Sequence, residues 1–129
     1  MFHTALTLND LLFLAKGAGV TLAIPAIAVL FGTVLGTVFG ALKAQASALA
    51  MAPLTFVLDV LRSVPLLIQL ILANAFQSIA GLGWSPFIVA CVMLSLYTSA
   101  YCTEIVRGGI EAVPAVTRRA ARSLGMTWG

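Results

Sequence analysis

Charge along this chain is confined to a few short stretches, and what lies between them is apolar. From Gly17 to Leu42 there is no ionisable residue, with Lys16 and Lys43 at the two ends. At the α-helical rise this run reaches about 39 Å, more than a bilayer's hydrocarbon core of roughly 30 Å. It predicts a first transmembrane helix with room to tilt, kinked early at Pro25. A second charge-free run, Ser63 to Thr103, is too long for one crossing, and Gly81, Gly83, Ser85 and Pro86 break it. The pattern therefore predicts a second helix over about Pro65–Ala80 and a third over about Pro86–Arg107, with Trp84 as an interfacial aromatic at the break. Between the runs, Ala44–Leu58 is helix material apart from Pro53, read either as an interfacial helix or as the lower part of the next span. Pro65 suits the first turn of a new helix and disfavours helix just before it. At the start of the chain, Thr7–Asp10 holds a helix start with Asn9 or Asp10 as cap. A signal peptide fits poorly, because the first residues are not basic and the apolar run is too long.

Within the spans, Gly32, Gly36 and Gly40 form a ladder at i, i+4, i+8. Such a face lets another helix approach closely, and packing against the chain's own helices is favoured over a dimer contact. Gln69, Asn74 and Gln77 are polar in or near the second span, read equally as interhelical hydrogen-bonding groups or as a lining of a transport path. Ser95, Tyr97, Thr98, Ser99, Tyr101 and Thr103 crowd the inner half of the third. Asp59 and Arg62, and Glu104 and Arg107, stand at i, i+3 and can pair. The second pair either stabilises the helix exit or lines the mouth of a path. Gly108 and Gly109 are expected to turn the backbone, and Pro114 to end the elbow. A short helix follows, with Ala120, Ala121 and Leu124 on one face, a basic remainder, and Gly125 where a left-handed C′ residue is wanted. Such a helix suits docking into a partner's groove.

Composition agrees with a membrane protein. Of 129 residues, 61% are hydrophobic and only 9% charged, with mean hydropathy +1.10. The net charge of +3 is too small, and its basic residues too close to membrane edges, for a nucleic-acid surface. Cys91 and Cys102 stand about three helical turns apart, too far to bridge within one helix, and read as buried free thiols. His3 reads as an exposed polar residue. Three spans put Lys43, Arg62, Arg107, Arg118, Arg119 and Arg122 on one side and Lys16 on the other. The positive-inside rule makes the first side cytoplasmic and leaves the N-terminus outside. No phosphate loop, zinc motif or cluster of acids with histidine occurs, so neither an enzyme nor a bound cofactor is expected.

Two stretches carry a family resemblance. Arg62-Ser-Val-Pro65-Leu-Leu-Ile-Gln69-Leu resembles an R-G-T-P-L-L-V-Q-L signature. Tyr101, Glu104, Ile105, Arg107, Gly108, Gly109, Ile110, Val113 and Pro114, followed by Ala120, Ala121, Leu124, Gly125 and Met126, resemble the cytoplasmic coupling loop of the permease subunit of bacterial polar amino acid ABC importers. The chain departs from that pattern at Val116-Thr117, where Gly-Gln is usual, and at Arg119, where Glu is usual. The resemblance implies an all-α membrane protein of the bacterial inner membrane, a permease for amino acids. It implies a second permease subunit, two cytoplasmic ATPase subunits that bind the ATP, and an external substrate-binding protein. It also implies about five spans, so three spans in residues 1–129 are expected to be part of a permease domain, cut at its C-terminal end, with its coupling loop at 108–126. On this reading Pro114, Arg118, Arg119, Ala120, Ala121, Leu124 and Gly125 couple to the ATPase, and Arg62, Gln69, Asn74, Gln77, Tyr97, Ser99 and Glu104 line the path. The alternative is a small helical membrane protein that only oligomerises or forms a pore on its glycine ladder.

Overall fold

The computed structural model describes residues 7–127, which form five helices. His3 lies outside the described residues. Helix α1 spans Leu8–Gln45, and its 38 residues are about 57 Å long at the α-helical rise. It starts well before the charge-free run and takes Lys16 and Pro25 into its interior. The cap is Thr7, not Asn9 or Asp10. The Asp10 carboxylate accepts hydrogen bonds from the Thr7 backbone N–H at 3.0 Å and from its hydroxyl at 2.6 Å.

Helix α2, Ala48–Ser63, is capped by Ser47, whose Oγ accepts from the Ala50 N–H at 3.4 Å. Pro65 ends it from outside: Val64, just before the proline, is extended (φ −92°, ψ 131°), as the proline ring demands of its predecessor. Helix α3, Leu66–Ile79, then leaves at 109° to α2. With 14 residues α3 is about 21 Å long, too short to cross alone. Gly81 and Gly83, both left-handed at φ +66° and +65°, break the chain before α4.

Helix α4, Pro86–Glu111, has Ser85 as N-cap and Pro86 in its first turn. Its end corrects the expected elbow. Gly108 and Gly109 stay helical, and the chain turns only at Ala112–Pro114. Pro114 then precedes α5, Ala115–Ser123.

Helix α4 is the element against which α1, α2 and α3 pack. The glycine ladder of α1 meets it directly. Gly32 faces Ser95 and Thr98, Gly36 faces Ser99 and Cys102, and Gly40 faces Thr103 and Val106. Both numberings rise together, so α1 and α4 run parallel. The intervening α2 and α3 must therefore return the chain to the end at which α1 began. Among the described residues two helices are long and apolar enough to cross a membrane, and the bent α2–α3 pair makes a third when counted as one span. Large apolar side chains such as Leu22, Phe31, Ile71 and Phe76 are exposed on the outer faces, as lipid contact requires. Cys91 is buried and Cys102 half-buried; both are free, and the Cys102 Sγ lies 3.8 Å from the Thr33 carbonyl oxygen.

Candidate functional site

Charge gathers where α1, α2 and α4 come together at one end. Lys43, in the last turn of α1, donates from Nζ to Glu104 Oε1, although 61 residues separate the two in sequence. The other carboxylate oxygen of Glu104 accepts from Arg107 Nε at 3.1 Å. Arg107 Nη1 in turn donates to both oxygens of Glu111, at 2.9 and 3.1 Å. From α2, Arg62 pairs with Asp59 and lies 3.8 Å from Glu104 Oε1. One carboxylate thus serves cations from three helices. The Lys43 side chain is only 7% exposed, so its charge depends on that partner. These residues border an open cavity of about 760 Å³, also lined by Met51 and Phe56 of α2.

On α4, Tyr97, Tyr101 and Glu104 recur at i, i+4 and i+7, a single helical stripe on which Tyr97 and Glu104 are half-buried. The two tyrosine hydroxyls are 3.1 Å apart and the rings 5.0 Å between centroids. The opposite side of α4 carries Ser95, Ser99 and Thr103, all buried, with Ser99 and Thr103 at 0% exposure. Ser99 therefore does not share the stripe of Tyr97 and Glu104. Its hydroxyl donates to the Leu96 carbonyl at 2.7 Å, and its backbone packs under Gly36.

Gln69 is also internal. Its Nε2 donates to the carbonyls of Leu61 and Val64, both at 2.7 Å, which ties the end of α2 to the first turn of α3. Its Oε1 is buried without a partner among the described residues. Asn74 and Gln77 do share a face, with Gln77 Nε2 donating to Asn74 Oδ1 at 3.4 Å. Gln77 Oε1 accepts from the Trp84 N–H at 3.2 Å, so this side chain also holds the turn before α4.

Helix α5 stands apart from this packing: all its residues are exposed except Ala121, which is half-buried. At 100° per residue, Val116, Ala120, Ala121 and Leu124 fall on one side, and Arg118, Arg119 and Arg122 on the other. Leu124 is 83% exposed. Among the described residues the three arginines have no acidic partner, whereas Lys43, Arg62 and Arg107 are all paired. Gly125, at φ +82°, closes α5 in a Schellman motif. Its N–H donates to the Arg122 carbonyl at 3.0 Å, and the Met126 N–H to the Ala121 carbonyl at 3.1 Å.

Lys43, Asp59, Arg107 and Glu111 belong to this charged cluster but not to the site residues expected from the sequence, and Lys43 has the most buried side chain among them. Its signal was present: it ends one charge-free run as Glu104 ends the other. What the spacing could not supply is that α1 and α4 pack side by side along the glycine ladder, which brings those two ends into contact.

Comparison with known proteins adds a family. Residues 32–129 match the family described as binding-protein-dependent transport system inner membrane component. The arginine transport system permease protein ArtQ of Bacillus subtilis is 31% identical over 124 residues, 95% of this chain and 57% of that protein. The arginine transport system permease protein ArgU of Corynebacterium glutamicum is 30% identical, over 89% of this chain and 40% of that one. A crystal structure of an amino acid ABC transporter with histidines superposes with a TM-score of 0.71 at 33% identity, covering 90% of this chain and 57% of that chain. The chain spans about half the length of the curated relatives it matches.

Proposed function

The chain belongs to the binding-protein-dependent transport system inner membrane component family, and we propose that it serves as permease subunit of an ABC importer for amino acids. The relatives named for arginine transport and the solved amino acid transporter support that substrate class. The partners we assign are cytoplasmic ATPase subunits, a second permease subunit and an extracytoplasmic substrate-binding protein. We place the charged end of α1, α2 and α4 in the cytoplasm and the N-terminus outside, on the positive-inside rule.

One observation carries this reading: a two-faced helix, exposed and packed against no other helix among the described residues, follows the helix that organises the spans after a three-residue turn. Val116, Ala120, Ala121 and Leu124 on one face and three arginines on the other suit a groove in a soluble protein. For an interfacial lipid helix, tryptophan or phenylalanine would be expected on the apolar face, and α5 carries neither. We assign docking to residues 108–126, with Ala120, Ala121 and Leu124 entering the groove, Arg118, Arg119 and Arg122 along its rim, and Pro114 and Gly125 bounding the helix. For the path we keep Tyr97, Glu104 and Arg62 at its cytoplasmic mouth, with Asn74 and Gln77 nearer the other end. Gln69 and Ser99 are assigned to helix packing instead. The reading of a purely structural oligomer loses its main support, because its glycine ladder is occupied by α4.

The test replaces Ala121 with Glu in the assembled transporter. We expect loss of ATPase association with the membrane complex while insertion and helix packing persist. Retention of the ATPase by the Ala121→Glu variant would count decisively against α5 as the docking element.

A further inference from the structure

We propose that Lys43 is a positioning residue through which movement at the docking helix reaches α1. The inference rests on the coupled-transport reading above and extends it to a residue outside the docking helix and the path.

The basis is an unbroken line of alternating charges. Lys43, in the last turn of α1, holds one oxygen of Glu104, and the other oxygen is held by Arg107 at 3.1 Å. Arg107 holds Glu111 in two hydrogen bonds of 2.9 and 3.1 Å. Glu111 is the last residue of α4, and α5 begins at Ala115. The line therefore runs from the final turn of α1 to the hinge of α5.

At the three ladder glycines the α1–α4 contact is uncharged, with Gly32, Gly36 and Gly40 against Ser95, Thr98, Ser99, Cys102, Thr103 and Val106. That ladder sets how closely the helices approach. Among the described residues the Lys43–Glu104 pair is the one ion pair joining α1 to α4. With its side chain 7% exposed, Lys43 is poorly hydrated, and a poorly hydrated ammonium cannot readily be left without a counter-ion. A shift of α5 that displaces Glu111 through the Ala112–Pro114 turn is carried by Arg107 to the Glu104 carboxylate and so to the end of α1.

Arg62 does not draw Glu104 away from α1. It lies 3.8 Å from the same Glu104 oxygen that Lys43 holds, but Asp59 already serves as its partner. Moving Glu104 towards Arg62 would strand the Lys43 ammonium, so the carboxylate and the end of α1 move together.

The experiment uses the complete permease–ATPase complex with this chain in proteoliposomes, reading amino acid uptake and ATP hydrolysis in parallel. Lys43→Met is expected to lower the uptake per ATP hydrolysed about tenfold, a typical coupling factor between sites. Lys43→Arg, which keeps the charge and reach, is expected to restore most of it. The exchanged pair, Lys43→Glu with Glu104→Lys, is expected to assemble and to recover part of the ratio, which keeps the test open if Lys43→Met fails to insert. An unchanged ratio in Lys43→Met, or uptake and hydrolysis falling in equal proportion with no recovery in Lys43→Arg, overturns the proposal. Should the unmodified complex show no ATP-driven uptake at all, the transport reading falls and takes this inference with it.

Discussion

Gly36 of α1 lies so close to Ser99 of α4 that a Cβ built on the glycine would stand 2.8 Å from the Ser99 carbonyl oxygen. The obstacle is backbone, which cannot swing aside as a flexible side chain could. The same holds one turn either way, at Gly32 against the Ser95 carbonyl (2.8 Å) and at Gly40 against the Thr103 carbonyl (2.7 Å). Gly36→Val should therefore force α1 and α4 apart, at a cost of about 1–3 kcal/mol or more. Gly17→Ala is the matched control, because nothing lies within 4 Å of a Cβ there. In an exposed helix interior that change should be neutral or stabilising by up to about 1 kcal/mol. Unfolding in detergent, followed by circular dichroism, reads both. Equal stability of the two variants would mean that the ladder is not a close contact.

The ladder and the two local ion pairs were legible in the sequence because each depends on spacing along one helix. Asp59–Arg62 and Glu104–Arg107 stand at i, i+3, and both form. The chain breaks at Pro65 and at Gly81–Gly83 were legible for the same local reason. What spacing could not give was which helix packs on the glycine ladder of α1, and hence the Lys43–Glu104 pair or the burial of Ser99. The helical state of Gly108 and Gly109 was missed for a different reason. Two glycines cost a helix about 1 kcal/mol each relative to alanine, but the Arg107–Glu111 pair spans them at i, i+4 and the chain is held helical on both sides.

Gln69 holds the 109° bend between α2 and α3 through two donated hydrogen bonds, and its own acceptor oxygen is unpartnered. This asymmetry gives a sign to two substitutions. Gln69→Leu removes both donors and strands the Leu61 and Val64 carbonyls, a loss of about 1–3 kcal/mol. Gln69→Glu keeps the shape but sets a carboxylate against the same two carbonyl oxygens, so it should be the more damaging of the two. Thermal stability in detergent orders the variants, and a spin-label distance across the bend reports whether the angle opens. If Gln69→Glu proves the milder change, the donated bonds are not what holds the break.

Gly125 closes α5 in the left-handed region at φ +82°, where any Cβ is strained. Gly125→Ala should cost about 1 kcal/mol and loosen the last turn of α5 alone. Hydrogen exchange at the Leu124, Gly125 and Met126 amides should then rise, with α4 unaffected. Because Leu124 belongs to the face assigned to docking, weaker ATPase association is expected along with the faster exchange. Faster exchange with undiminished association would confine the docking contact to the residues before Leu124.

The parallel course of α1 and α4 fixes a topology that labelling can check. Both helices end at the charged hub, so Thr7, which caps α1, and Ser123, which ends α5, should face opposite sides of the membrane. Cys91 is buried and Cys102 half-buried against Gly36, so alanine at both gives a background without native thiols and without added bulk. In that background, Thr7→Cys should react with an impermeant maleimide in intact spheroplasts, and Ser123→Cys only after lysis. The sign follows from where the cations lie: Lys43, Arg62, Arg107, Arg118, Arg119 and Arg122 crowd one end, and Lys16 lies towards the other. The reverse pattern would put α5 outside the cell, out of reach of any cytosolic ATPase. Labelling of both sites in intact spheroplasts would instead mean that α2 and α3 do not carry the chain back across, and that the bent pair only dips into the bilayer.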